Sequence, residues 1–378
     1  MSNPLNQAAA ESGSTYLRGP VVIFGTGLLG TSIGLGLSHR GLEVLLSDPS
    51  PSALSVAVDI GAGRPLHEQP GVWPELVVVA APPDVCARVV ADALERFPAA
   101  VVVDVSSVKG AILRELQELS AKNHLDLSRY VGTHPMAGRE RAGAVSARGE
   151  LFNAMPWVIC PHQGSGQGAV QVAQNLGLDL GAVLSRFSPE EHDDAVALVS
   201  HLPQMMSSLV AARLQEAAPH ALSLAGNGLR DVTRIAASDA GMWVPIMAAN
   251  AEPIVTILHQ LHEDLIKLIG TLDAPAAPGA SLAMAKVISA GNAGQARIPG
   301  KHGGPAQPYA WLSVLVDDEP GQIAQLLTEI GEIGVNLEDL RLDHSSGRNA
   351  GIVEISVLPA KLEPLIEELT VRGWKVLQ

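Results

Sequence analysis

Between residues 19 and 186, short unbroken apolar runs alternate with longer stretches of mixed polarity. Val21–Phe24, Glu43–Ser47, Leu76–Ala80, Ala100–Val105, Tyr130–Thr133, Trp157–Ile159 and Gly181–Arg186 read as strands. Several are continuous Val/Ile runs rather than alternating ones, the pattern of parallel strands covered on both faces. Helical periodicity fills the intervals. This rhythm predicts an α/β, Rossmann-type doubly wound sheet over 19–186.

At Ser188 the texture changes. Ser188-Pro189-Glu190-Glu191 is a capping box with Pro at the first helical position. From there to about residue 290 the chain is nearly strand-free, with helices expected at His192–Leu202, Met206–Ala217, Asp239–Ala251 and Ile254–Gly270. Helices this apolar need covering. An all-helical dimerisation domain over 187–290 is one solution, and a purely intrachain bundle is the other. Residues 291–308 lack periodicity and read as a linker. Beyond them, 309–378 follows a βαββαβ, ferredoxin-like order around the turn Ser345-Ser346-Gly347-Arg348.

Composition narrows the picture. The chain has 378 residues, enough for two or three domains. It carries 39 acidic against 25 basic residues, a net charge of −14, with no basic stripe, so nucleic acid is not an expected partner. Anionic ligands must then be met by a few locally placed cations. Cys86 and Cys160 lack metal-ligand spacing; they suit a reduced, cytoplasmic protein without a metal site. Residues 1–18 read as a disordered tail rather than a leader. Runs such as Val77–Ala81 are strand-sized, so no membrane is expected.

Gly25-Thr26-Gly27-Leu28-Leu29-Gly30 follows an apolar strand and opens a helix. Gly25 permits the tight turn, Gly27 lets backbone approach a pyrophosphate, and Gly30 lets helix pack on strand. Free N–H groups and the helix dipole then hold the phosphates. The second strand ends at Asp48, whose carboxylate suits both ribose hydroxyls and repels a 2′-phosphate. NAD is expected rather than NADP.

Two further residues lie at strand carboxyl ends, where ligands bind in such sheets. Ser107, in Asp104-Val105-Ser106-Ser107-Val108-Lys109-Gly110, is either a helix cap or a site hydroxyl. His134, in His134-Pro135-Met136-Ala137-Gly138, is the candidate base, an imidazole able to take a hydroxyl proton while hydride leaves the same carbon. In the helical half, Asp231 and Arg234 share a helix face as a structural ion pair or a carboxylate clamp. His192, His201 and Gln204 lie near one another as site groups or as ordinary buried polar residues.

With these motifs in this order, the chain resembles the prephenate/arogenate dehydrogenase family of tyrosine biosynthesis. The resemblance rests on GTGLLGTSIG, DVSSVKG, HPMAGRERAG, the stretch from His192-Asp193 to Ser200-His201-Leu202-Pro203, and DVTRIAASDAGMW. It implies NAD-dependent oxidative decarboxylation of prephenate to 4-hydroxyphenylpyruvate, driven largely by aromatisation. His134 would take the C4 hydroxyl proton and Ser107 would orient that hydroxyl. Glu140 would sit at the mouth, Arg234 would hold a substrate carboxylate, and Asp231 would orient nearby cations. Trp243 would come from the neighbouring subunit of a homodimer. Gln204 stands where relatives often have a second His, and Asn227 lies in a stretch more glycine-rich in relatives. Both leave the choice between prephenate and arogenate open.

The tail, from Val316-Asp317-Asp318-Glu319-Pro320-Gly321 through Val335-Asn336-Leu337, resembles an ACT domain. That implies inhibition by tyrosine bound near Gly321 and Asn336; a tail that only assists oligomerisation is the alternative. A β-hydroxyacid or imine reductase is disfavoured, because the only lysines between 183 and 290, Lys267 and Lys286, lie outside any charged motif. A non-catalytic sensor is disfavoured because Ser107, His134 and Arg234 are all present.

Overall fold

The computed structural model describes residues 15–137, 143–299, 309–344 and 350–377. It divides into two compact units, residues 1–262 and 263–378.

The first unit begins with β1 (Val21–Phe24), α1 (Leu28–His39), β2 (Val44–Ser47), α2 (Pro51–Asp59), β3 (Arg64–Pro65), β4 (Leu76–Val79), α3 (Pro83–Arg96), β5 (Val101–Asp104), α4 (Gly110–Asn123), β6 (Tyr130–Pro135), β7 (Pro156–Cys160), α5 (Gln167–Asp179) and β8 (Val183–Arg186). These strands form one eight-stranded sheet in the order β3-β2-β1-β4-β5-β6-β7-β8. Helices on both faces bury two apolar clusters, one around Ile23, Val78, Val103 and Trp157, the other around Val22, Val77, Val102 and Leu116.

One departure from the expected parallel sheet concerns its end. β7 runs antiparallel to β6, with Gly132 opposite Cys160 and Pro135 opposite Trp157, and β8 is parallel to β7. Parallel neighbours need a crossover helix. Between β6 and β7 the described residues hold only the 3₁₀ turn Ala144–Ser146 and no crossover helix. Residues 15–18, expected in the tail, are held against the sheet region, with Leu17 fully buried and the Asp179 carboxylate accepting from the Tyr16 and Leu17 amides; the rest of the expected tail, residues 1–14, lies outside the described residues.

The helical half begins with α6 (Pro189–Val196), whose capping box forms as expected. A π turn, Ala197–His201, joins it to α7 (Leu202–Ala212), so two helices expected separately make one continuous rod. By length and mean hydropathy (1.4) the stretch Pro189–Glu216 would qualify as a membrane span. However, its buried residues are largely polar: His192, Asp193, His201, Gln204 and Ser207. Then follow α8 (Pro219–Leu222), α9 (Asn227–Thr233), α10 (Ala240–Ala249) and α11 (Ala251–Asp273). α10 buries Ile246 in the second apolar cluster of the sheet region.

In the second unit, α12 (Ala280–Gln295) extends into the expected linker. β9 (Ala310–Asp317), α13 (Gln322–Ile333), β10 (Asp339–His344), β11 (Ala350–Val357), α14 (Pro359–Val371) and β12 (Lys375–Leu377) give a four-stranded sheet in the order β10-β11-β9-β12. Its strand pairs are antiparallel, and Leu312, Val314, Leu326, Ile330, Val353 and Leu365 form its core. This is the expected ferredoxin-like order; the turn at 345–348 lies outside the described residues.

Candidate active site

The glycine turn between β1 and α1 does what its spacing suggests. Gly25 has φ +100°, and a Cβ there would lie 2.4 Å from the Ala80 carbonyl oxygen. At Gly30 a Cβ would lie 1.9 Å from the Gly25 oxygen, so helix and strand meet without room for a methyl group. A Cβ on Gly27 would meet nothing within 4 Å. Gly27 is also the N-cap of α1 and supplies no side-chain cap, so the first amides of the helix face that open space. Thr26 is buried, and its hydroxyl lacks a partner among the described residues. Leu28 and Leu29 form the first helical turn, and Leu29 packs on the core. At the end of β2, Asp48 accepts from the Thr26 amide (2.6 Å) and the Ser50 amide (2.8 Å). Each oxygen keeps a lone pair for a ribose hydroxyl. The donor set fits NAD.

β6 lies three strand spacings from β1, about 14 Å. That leaves room for a nicotinamide riboside and a small substrate between the glycine turn and His134. At this far end the structure joins His134 to the distant pair His192-Asp193. His134 Nδ1 lies 2.8 Å from His192 Nε2, and His192 Nδ1 lies 2.8 Å from Asp193 Oδ1. Asp193 also accepts from the Lys109 amide (2.9 Å) and the Gly110 amide (2.7 Å), capping α4 from another element.

The direction of this chain follows from its end. Burial opposes ionisation of Asp193, but the bonds from His192, Gly110 and Lys109 outweigh it and hold the carboxyl below its ordinary range. An ionised carboxylate only accepts. His192 therefore donates from Nδ1, and in the neutral ring Nε2 is the nitrogen that accepts from His134 Nδ1. The Nε2 of His134 is left with its lone pair and no hydrogen bond among the described residues. Burial, then the neighbouring His192, Lys109 and His201, push His134 well below the usual histidine range. It is a neutral base with one available nitrogen.

Beneath it lies a buried ion pair. Lys109 Nζ bonds the Asp104 carboxylate and the Thr133 carbonyl (2.7 Å), one residue before His134. Asp104 further accepts from the Tyr130 hydroxyl (2.7 Å) and the Ser106 amide (2.9 Å). A buried charge this well satisfied fixes geometry rather than adding net stability; removing one partner alone costs about 3–5 kcal/mol. Ser107 is half-buried on the loop between β5 and α4. It is not the helix cap, because Lys109 occupies that position and Asp193 takes the amides. Its hydroxyl makes no hydrogen bond among the described residues.

The helical wall brings in some expected groups and not others. His201 and Gln204 are buried. Gln204 Oε1 accepts from the Ser238 hydroxyl and its Nε2 donates to Ser208, both at 3.3 Å. Trp243, expected to come from a neighbouring subunit, packs edge-on against His201 of its own chain, with centroids 6.0 Å apart. Its indole N–H is buried without a partner among the described residues, as is the Ser207 hydroxyl. Asn227 is half-buried on α9, and Asp231 and Arg234 are exposed at its end and on the following 3₁₀ turn. Glu140 lies outside the described residues. In the second unit Gly321 has φ +95° and caps α13 through open space, while the exposed Asn336 amide donates to Glu338 at 3.2 Å.

Asp193 and Asn250 were missed as site residues. Asn250 Nδ2 donates to the Asp193 carbonyl at 2.8 Å and lies 3.1 Å from His201 Nδ1. The available signal was a lone polar residue, Asn250, closing an apolar helix; Asp193 sits in the polar run 190–194 and carries no signal of its own.

Comparisons with known proteins cover most of this architecture. Residues 33–186 match the family model described as prephenate dehydrogenase, nucleotide-binding domain, and residues 188–283 match prephenate dehydrogenase, dimerization domain. The chain is 38% identical over 360 residues to the probable prephenate dehydrogenase NovF of Streptomyces niveus, covering 93% of this chain and 98% of that protein. It is 25% identical over 354 residues to the prephenate dehydrogenase of Bacillus subtilis, covering 90% and 92%. Among solved structures it resembles the prephenate dehydrogenase from A. aeolicus in complex with hydroxyphenyl propionate and NAD+. The TM-score is 0.64 at 24% identity, covering 74% of this chain and 99% of that one.

Proposed function

Since the chain belongs to the prephenate dehydrogenase family and is an NAD-dependent oxidoreductase, we propose that it converts prephenate to 4-hydroxyphenylpyruvate. The observation that carries this reading is the Asp193–His192–His134 chain, which ends in an unprotonated imidazole nitrogen at a strand's carboxyl end. Bound NAD+ supplies the hydride acceptor. His134 Nε2 accepts the C4 hydroxyl proton, and His192 and Asp193 hold the ring as it becomes charged. Ser107 donates to or accepts from the same hydroxyl. Arg234 and Asp231 set the charge at the substrate's carboxylate end, with Glu140 at the mouth. Because the ring becomes aromatic as CO2 departs, the protein needs only to position groups and take one proton.

Arogenate is the second reading. Gln204 leaves it open, since a neutral amide can serve an ammonium as well as a keto oxygen. The exposed apolar side chains of the helical half support a homodimer, and the free, buried Cys86 and Cys160 support a reducing, cytoplasmic compartment. The ferredoxin-like unit is read as an ACT-like domain that binds tyrosine near Gly321 and Asn336 and inhibits.

One assay tests these together: NADH formation from NAD+ with prephenate or arogenate, each with and without tyrosine. Turnover of prephenate, suppressed by tyrosine, is the expected result. Turnover of arogenate alone would overturn the substrate choice, and tyrosine-insensitive turnover would overturn the effector reading.

A further inference from the structure

We infer that Asn250 is a positioning residue that fixes His201 as a hydrogen-bond donor through Nε2, giving the two site imidazoles opposite polarity. His134 accepts through its Nε2; His201 donates through its own.

The argument is one of forced hydrogen-bond direction. Asn250 closes the carboxyl end of α10 and is 2% exposed. The group it presents to the Asp193 carbonyl oxygen must be its NH2, because a carbonyl only accepts; this fixes which way the amide faces. The same nitrogen faces His201 Nδ1 at 3.1 Å. Its second hydrogen therefore points at Nδ1, which must accept. The ring proton of His201 then sits on Nε2, which has no hydrogen bond among the described residues. The titratable groups around His201 are Asp193, which favours a charged ring, and His192, which opposes it. Burial, the largest influence, acts with His192 against Asp193 and lowers the ring to about 4. Trp243 covers its edge. A neutral Nε2–H donor suits a carboxylate or carbonyl oxygen. That part of the inference rests on the proposed prephenate reading; the tautomer does not.

The same amide ties the two imidazoles together. Asp193 sends its carboxylate to His192 and its main-chain oxygen to Asn250. One residue thus sets the acceptor and, through Asn250, the donor.

The test uses the full-length protein labelled with 15N-histidine. Long-range 1H–15N spectra at pH 7 report each ring's tautomer, and His201 is assigned by the signals lost in His201→Asn. A neutral Nε2–H ring is expected. In Asn250→Asp the carboxylate draws the proton to Nδ1, so Nε2 can donate only while the ring is charged. kcat/KM for prephenate then falls about tenfold as pH rises through that new ionisation, between about pH 6 and 8. The wild type shows no such fall from this group. A wild-type His201 with its proton on Nδ1, or charged at pH 7, overturns the inference even if Asn250→Asp fails to fold. So does a folded Asn250→Asp with the wild-type pH profile. A wild type that does not turn over prephenate would defeat the substrate reading and leave the tautomer result standing.

Discussion

The sheet region and the helical half of the first unit solve opposite problems. Around the sheet, buried positions are overwhelmingly Val, Ile, Leu and Ala, and polar exceptions such as Asp104, Lys109, Thr133 and Asp179 are paired. Between residues 187 and 262 the pattern inverts. His192, Asp193, His201, Gln204, Ser207 and Asn250 are buried, while Leu198, Val199, Leu209, Val210, Leu224, Val232, Met242 and Val244 are exposed. An apolar interior stabilises a fold; a polar interior facing it builds a site. The outward apolar surface marks where a second copy would be needed. The first region carries the stability and the second uses some of it to hold charges and imidazoles in place.

The comparison breaks most sharply at His134. His134→Ala is expected to lower kcat by about 10²- to 10⁴-fold with NAD binding unchanged, measured by NADH formation and a cofactor titration. Loss of both would mean the ring supports the fold rather than the chemistry. Next comes the polar interior itself. Asp193→Ala leaves two amides and the His192 N–H without their acceptor and should destabilise by about 3–5 kcal/mol in urea unfolding.

The pH dependence of that stability has a definite sign. His134 and His201 stay neutral in the fold, while the unfolded chain binds protons near pH 6.5, so stability falls as pH drops below about 6.5. For His201 the loss is complete near pH 4. Asp193 has a lowered folded pKa; its contribution is full above the ordinary carboxylate range and is lost as pH falls through that lowered value. Urea midpoints that stay flat from pH 7 to 5 would contradict the neutral imidazoles.

On the outward face, Leu209→Glu combined with Val210→Glu should shift sedimentation from dimer to monomer while leaving the sheet region folded. An unchanged dimer would place the interface elsewhere. The smallest effect is expected at the turn. Asp48→Ser should raise the NADP-to-NAD ratio of kcat/KM by about tenfold, and an unchanged ratio would remove Asp48 from cofactor choice.

The same contrast explains what was legible in the sequence. The parallel strands announce themselves because continuous apolar runs report burial on both faces. The glycine turn is equally plain, since Gly25, Gly27 and Gly30 each answer a local steric demand. The reversal of β7 is not local; it depends on whether a helix fits between β6 and β7. The π turn at Ala197–His201 fuses two expected helices although Pro203 follows it, a residue that in the sequence reads as a break. Asp193 and Asn250 were overlooked because periodicity shows which face is inward but not which distant partner a polar side chain will meet. Asp193 meets amides more than eighty positions away.

That last contact bears on modularity. The family models divide the chain near residue 187, yet the start of α4, in the nucleotide-binding half, is capped by a carboxylate from beyond the divide. A fragment ending at residue 186 would carry bare amides at the loop holding Ser107 and an unanchored His134. The seam visible in sequence is thus a poor place to cut, and neither half could be exchanged for a foreign counterpart without carrying the carboxylate along.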